Sequence, residues 1–251
     1  KERENRSFFE NRTVKMADVV FTVSKELYDR RKKINKSVYY LPWAAEYEYF
    51  SKTTGSHKCD DLLRNKGPYI GFIGNIWGIF NLDLIKYAAK SLPECSFIII
   101  GGVSNKLPIG FKKKFEEICL IENIYWLGYK EHNILPDYLY HFDVCIMPYL
   151  IGDWIKTCSP GKFYQYLSQG KPIVSVDIPE VRKYYDDDIV KIARDDEDFV
   201  NKIKIALRED KTENLNCKRQ KIAEENSWSV RAYKMLEILD NYHARLSNEK
   251  K

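Results

Sequence analysis

The chain has 251 residues, 44% hydrophobic and 31% charged, the composition of a globular protein of one large or two small domains with a sizeable core. No apolar run approaches the roughly 18 to 20 residues that cross a bilayer, and the charged, helix-like stretch 1–15 lacks the apolar core of a signal peptide. The net charge of +5 is mild, and lysines scattered through Lys32-Lys33, Lys112-Lys113-Lys114 and the C-terminus read as solvated surface, not as a nucleic-acid track.

Weak attraction to anionic lipid or phosphate stays open. Lys1, not Met, is the first residue, so the chain is expected to begin inside a longer protein. Cys59, Cys95, Cys119, Cys145, Cys158 and Cys217 show no CxxC pairing, and several stand inside apolar runs as small hydrophobes. The expected setting is reducing and cytoplasmic, with peripheral contact at the inner face of the plasma membrane as a variant of it.

In chain order, 17–24 reads as a strand ending at Ser24, which then caps a helix over 25–33. A short strand at 38–41 is stopped by Pro42. A polar stretch, 51–67, holds Gly55 and Gly67. From there strand and helix alternate: strand 69–74, helix 83–91, strand 96–100, helix 111–119, strand 124–127, helix 134–141, strand 143–148, helix 161–169, strand 172–177, helix 179–185, strand 189–192 and helix 196–208. The remainder, 212–246, is helical, with Trp228, Tyr233, Leu236, Ile238 and Leu239 at helical spacing. Short apolar strands alternating with helices predict a Rossmann-like parallel sheet with helices on both faces. A break falls between about residue 42 and residue 67, so the first segment is expected to be the tail of another domain, and the complete unit runs from about 67 to 228.

The run from Ser159 to Val174 joins a helix opening, a helix and a buried strand, and with Asp143-Val144-Cys145-Ile146-Met147-Pro148-Tyr149 upstream it forms one βαβ crossover. A helix start with Pro160 just inside and Ser159 before it leaves backbone N–H groups free to meet a phosphate. Open parallel sheets bind ligands beyond the carboxyl ends of their strands, near the topological switch point. In this chain those ends are Gly74-Asn75-Ile76-Trp77, Gly101-Gly102, Gly128-Tyr129, 149–159 and Asp177. The glycines let a backbone approach a ligand closely.

Taken in order, Ala17-Asp18-Val19-Val20-Phe21-Thr22-Val23-Ser24, Leu41-Pro42-Trp43-Ala44-Ala45, Tyr69-Ile70-Gly71-Phe72-Ile73-Gly74, Phe97-Ile98-Ile99-Ile100-Gly101, Asn123-Ile124-Tyr125-Trp126-Leu127-Gly128, Leu135-Pro136-Asp137-Tyr138-Leu139 and the two runs just described resemble the C-terminal half of a family 4 type, retaining glycosyltransferase of the GT-B fold, as found in bacterial surface-polysaccharide synthesis. The resemblance implies three regions: 1–50, the tail of an N-terminal acceptor domain and hinge; 51–228, a nucleotide-sugar donor domain; and 229–251, a C-terminal helix that crosses back. It also implies that Ser159, Pro160, Gly161 and Lys162 meet the donor diphosphate, with Lys162 as a point charge or, alternatively, as an ordinary surface lysine. Gly128 and Tyr129, with Lys130, match the base-contacting loop. Tyr129 would stack on the base, or else be a partly buried strand-end tyrosine.

Departures from the pattern matter as well. Where family members carry two glutamates this chain has Thr157 and Gln165, and Gln165 can hydrogen-bond a ribose but loses a charge-assisted contact about twice as strong as a neutral one. Asp153 is the one nearby loop acid, so Asp153 and Thr157 are the catalytic candidates, with a plain loop aspartate as the alternative. Asn75, Ile76, Trp77 and Gly78 stand where basic residues are usual; Gly74, Asn75 and Trp77 are donor-contact candidates, and Trp77 packs on a sugar, on a partner domain or at the rim of the core. His57, His132, His141 and His243 have no Cys or acid at ligand spacing, so no metal is expected. The full GxGxxG fingerprint is missing, which disfavours NAD. The acidic runs 186–188 and 195–198 are expected to stay solvated. The expected function is transfer of a sugar from a UDP or GDP donor, bound as substrate with no cofactor, to a glycan or lipid-linked acceptor. The alternatives are a non-catalytic nucleotide-sugar-binding or assembly module and a nucleotide-sugar epimerase of the same architecture.

Overall fold

The computed structural model describes residues 2–53, 57–209 and 212–249, with side chains from residue 7 onward; Gly55 of the polar stretch lies outside the described residues. The chain opens with α1 (Glu2–Met16), β1 (Val20–Thr22), α2 (Lys25–Lys32) and β2 (Val38–Tyr40). The two strands pair in parallel, Val20 opposite Val38. Ser24 caps α2 as its sequence implies, its hydroxyl accepting the Leu27 amide at 3.3 Å. The stretch beyond holds two four-residue helices that its polar composition does not announce, α3 (Tyr47–Phe50) and α4 (Asp60–Leu63).

The alternation that follows is the expected one: β3 (Tyr69–Ile73), α5 (Leu82–Ser91), β4 (Ser96–Ile100), α6 (Ile109–Ile118), β5 (Ile124–Trp126), α7 (Leu135–His141), β6 (Val144–Met147), α8 (Gly161–Ser168), β7 (Ile173–Val176), α9 (Pro179–Arg182), β8 (Val190–Ala193) and α10 (Asp196–Leu207). The helices α11 (Glu213–Glu225) and α12 (Trp228–Glu249) complete it. These strands form one parallel six-stranded sheet in the order β5-β4-β3-β6-β7-β8. The winding reverses between β3 and β6, which is where such sheets open a ligand crevice.

Both faces of this sheet are covered, so its inner strands are apolar throughout instead of alternating. Every residue of β4, β6 and β7 is buried. Helix α5 lays Leu84, Ile85, Ala88 and Ala89 against the sheet and is capped by Asn81, whose side chain accepts the Leu84 amide. Helix α10 buries Phe199, Val200, Ile203 and Ala206 from a start capped by Asp195. Each large apolar side chain so buried stabilises the fold by roughly 1.5 to 3 kcal/mol before entropy is counted.

Two expectations change. The helix expected over 179–185 ends at Arg182, because the acidic run after it is drawn into a turn. Asp186 accepts the Asp188 amide, and Lys218 bridges Asp186 at 2.7 Å and Asp188 at 2.9 Å. That run is therefore ion-paired and not merely solvated. In the second acidic run Asp195 caps α10 and Asp198 pairs with Arg194 at 3.2 Å. Arg219 is buried, donating to the carbonyls of Asp188 and Gly170 and pairing with Glu209, which also holds Lys191 at 2.9 Å.

The β1–β2 pair is joined to the larger sheet at few points. Buried Glu180 accepts the Lys25 amide at 2.7 Å and the Tyr40 hydroxyl, and pairs with Lys183 at 3.0 Å. At the other side, α12 starts against the connecting segment. The Trp228 amide donates to the Ala45 carbonyl, Arg231 donates to the Pro42 carbonyl, and Tyr242 reaches Asp18 at 3.4 Å.

Candidate functional site

The end of β3 and the start of α8 meet at the switch point. Buried Tyr166 fixes their spacing, its phenol oxygen accepting the Ile73 amide at 3.0 Å. Gly74 has φ +152, and a Cβ there would lie 2.8 Å from Cε of Lys162. The missing side chain is what lets the lysine lie across the strand end. Its Nζ sits 5.2 Å from the Phe72 ring and 5.4 Å from the Tyr149 ring, so the cation rests on aromatic faces without a carboxylate partner among the described ion pairs.

In front of these groups is an open cleft of about 420 Å³. Seven of the residues singled out from the sequence line it: Gly74, Asn75, Tyr129, Lys130, Gly161, Lys162 and Gln165. No side chain caps α8, which leaves its first amides without a side-chain acceptor, and Gly161 and Lys162 of its first turn are in the lining of the cleft. Four more expected residues lie beside it. Pro160 is the cap residue of α8 and not its first helical residue. Ser159 does not cap the helix; its hydroxyl accepts the Trp43 amide at 3.1 Å. Gly128 ends β5, its carbonyl accepting the Gly101 amide. Trp77 is exposed beyond Asn75.

The two acid-loop candidates point elsewhere. Asp153 has a 99% exposed side chain paired with Lys156 at 3.1 Å and lines a different cavity, of about 810 Å³, over the ends of β6, β7 and β8. Thr157 donates its hydroxyl to the Trp154 carbonyl at 2.9 Å. Neither lines the cleft, and no carboxylate does. Among the described residues no group of three or more His, Cys, Asp or Glu is placed to hold a metal ion, and no helix is long and apolar enough to cross a membrane.

Four lining residues carry no role from sequence, Trp43, Ile73, His132 and Leu135, while Lys130 belongs to the loop matched to base contact. Trp43 lies so close to Gly161 that a Cβ there would come within 2.3 Å of its indole, and it packs edge-on against Trp228 at 5.2 Å. Its signal was present, a tryptophan directly after Leu41-Pro42. Lys130 pairs with Asp61 and His132 with Glu46, partners 69 and 86 residues away, and no local pattern announces such pairs. Burial pushes the Cys158 thiol up to about 11, with Lys162 drawing it down less strongly, so it is no nucleophile at neutral pH. All six cysteines are unpaired.

Residues 67–209 match the family model described as glycosyl transferases group 1. The chain is 26% identical over 209 residues to the putative teichuronic acid biosynthesis glycosyltransferase TuaH of Bacillus subtilis (strain 168), a match covering 82% of this chain and 51% of that protein. The chain thus spans about half the length of the curated relative it matches. Among solved structures it resembles Anabaena HepE in complex with UDP and glucose, with a TM-score of 0.72 at 13% identity over 90% of this chain and 64% of that one. It also resembles sucrose-phosphate synthase from Thermosynechococcus elongatus, with a TM-score of 0.75 at 16% identity over 96% and 62%. At these identities the likeness is one of fold, the doubly wound sheet of GT-B glycosyltransferases.

Proposed function

Because the chain belongs to the group 1 glycosyl transferases, we propose that it supplies the donor site of a family 4 type, retaining enzyme that moves a hexose from a UDP or GDP sugar to a glycan or lipid-linked acceptor. The observation that carries this reading is the uncapped start of α8, with Lys162, lining an open cleft at the switch point of the sheet. A helix terminus contributes typically ~0.3 to 1 kcal/mol toward a bound anion, up to about 2 in partly buried geometry. When the bond from the anomeric carbon to the diphosphate breaks, negative charge grows on the departing phosphate, and fixed amides with a nearby cation stabilise it there. HepE, solved with UDP and glucose, supports a uridine donor. The name of the Bacillus relative supports a cell-surface polysaccharide as acceptor.

In this reading residues 1–50 are the tail of an acceptor domain, 51–228 hold the donor, and 229–251 cross back toward that domain. The chain by itself binds donor and turns over little, and the complete protein works in the cytoplasm, peripherally at the plasma membrane. A thermal-shift screen with UDP, GDP and dTDP sugars tests the reading, since a ligand that binds only the folded state raises its melting point. One sugar nucleotide should raise it by several degrees; no shift with any of them at millimolar concentration contradicts the proposal. One observation favours a second reading. The cleft holds Gln165 and no carboxylate, which suits a binding module without chemistry. Donor binding without transfer by the full-length protein would establish that alternative.

A further inference from the structure

We propose that Glu46 and Asp61 are positioning residues, which hold the 128–132 loop in place so that Tyr129 is presented to the nucleobase before the donor arrives. This rests on the reading of the cleft as a nucleotide-sugar site. The loop leaves the end of β5 and is tied at alternate residues. Lys130 Nζ lies 2.5 Å from Asp61 Oδ2, and the other Asp61 oxygen accepts the Tyr138 hydroxyl at 2.7 Å. This pair is mostly buried, with 19% and 26% of the two side chains exposed. His132 Nε2 lies 2.6 Å from Glu46 Oε2, while its ring stacks on Tyr49 at 5.6 Å and meets Phe50 edge-on at 5.3 Å.

Just ahead of the two ties Tyr129 remains 65% exposed, its hydroxyl donating to Glu131 at 3.4 Å. An exposed ring in the lining of the cleft, between the Gly128 carbonyl that accepts the Gly101 amide and the Lys130 tie, is arranged to stack on a flat ligand. Both acids come from the segment of α3 and α4, ahead of residue 67 where the family match begins. Both clamp acids thus stand outside the matched region 67–209, in the connecting segment. A loop ordered in advance spares the ligand the conformational entropy of ordering it. Neither acid is bonded to Gly161, Lys162 or Gln165, and neutralising Asp61 frees Lys130 in the same cleft, so the loss should fall on the base half of the ligand while the diphosphate half binds no more weakly.

Calorimetric titration of the chain with UDP, GDP and inorganic pyrophosphate separates these effects. Relative to the unaltered chain, Glu46→Gln/Asp61→Asn should bind its preferred nucleotide about tenfold more weakly, with pyrophosphate affinity lowered by less than about twofold. Glu46→Gln alone, a change at a half-exposed side chain that leaves the fold intact, should show a loss of about threefold. Unchanged nucleotide affinity in both variants overturns the clamp, as does an equal loss for nucleotide and pyrophosphate, which would mean a general loosening of the fold. Failure of the unaltered chain to bind either nucleotide instead overturns the donor-site reading itself.

Discussion

The six-stranded sheet and the β1–β2 pair are built from similar apolar strands, yet only the first closes its own core. Ile70, Ile98, Cys145 and Val174 at its centre are fully buried under helices on both faces. In the smaller unit each strand buries a single residue, α2 buries none, and α1 leaves Phe8 and Phe9 63% and Met16 73% exposed. These three exposed apolar side chains suit the proposal that another piece of protein covers this face. The difference teaches that the larger sheet buries its strands under its own helices, while the smaller pair buries little of itself. That difference is consistent with the proposal that 1–50 belongs to a domain preceding this one.

The comparison is sharpened most by breaking the seal of the larger sheet. Arg219→Ala leaves Glu209 and two carbonyls without their buried partner and should lower the free energy of unfolding by roughly 3 to 5 kcal/mol, read by denaturant titration. Glu180→Ala should act only on the smaller unit. It strips the Lys25 amide, the Tyr40 hydroxyl and Lys183 of their acceptor, a local cost of roughly 1 to 3 kcal/mol. Hydrogen exchange should accelerate across β1 and β2 and remain unchanged in β3, β4 and β6; uniform acceleration would mean that the two units unfold as one.

Acid should bring the smallest effect. Burial raises the carboxyl of Asp61, but hydrogen bonds from Lys130 and Tyr138 outweigh it and leave the group below its usual range. Lys218 lowers Asp186, and hydrogen bonds from Arg194 lower Asp198 against the effect of burial. A carboxylate that is more acidic in the folded state contributes its full stabilisation above the unfolded value, and loses it as pH falls through the folded one. Stability should therefore hold between about pH 7 and 5 and decline below about pH 4. Asp61→Asn should remove part of that decline; an identical acid profile would show that the Lys130 pair does not contribute.

Much of the larger sheet was legible in the sequence, because fully buried strands are written as runs such as Ser96-Phe97-Ile98-Ile99-Ile100 that local composition reveals. The α8 end of the cleft was legible for a related reason, since Gly161 and Lys162 follow directly on a strand and a turn. The other end was not. Tyr129 could be placed, but what holds its loop comes from Glu46, just ahead of α3, and Asp61 in α4, and helices of four residues are too short to show a periodicity. Ser159 was read as a helix cap because serine before a helix usually is one; here a tryptophan backbone from another segment reaches its hydroxyl first.

The central claim, that the α8 opening receives an anionic diphosphate, is tested most directly by titrating UDP-glucose and GDP-mannose into the chain and into Lys162→Ala. The account predicts that one of the two binds and that the substitution weakens it about tenfold, or ~1.4 kcal/mol, with the melting temperature of the free protein unchanged. Equal affinity in the two proteins would contradict it.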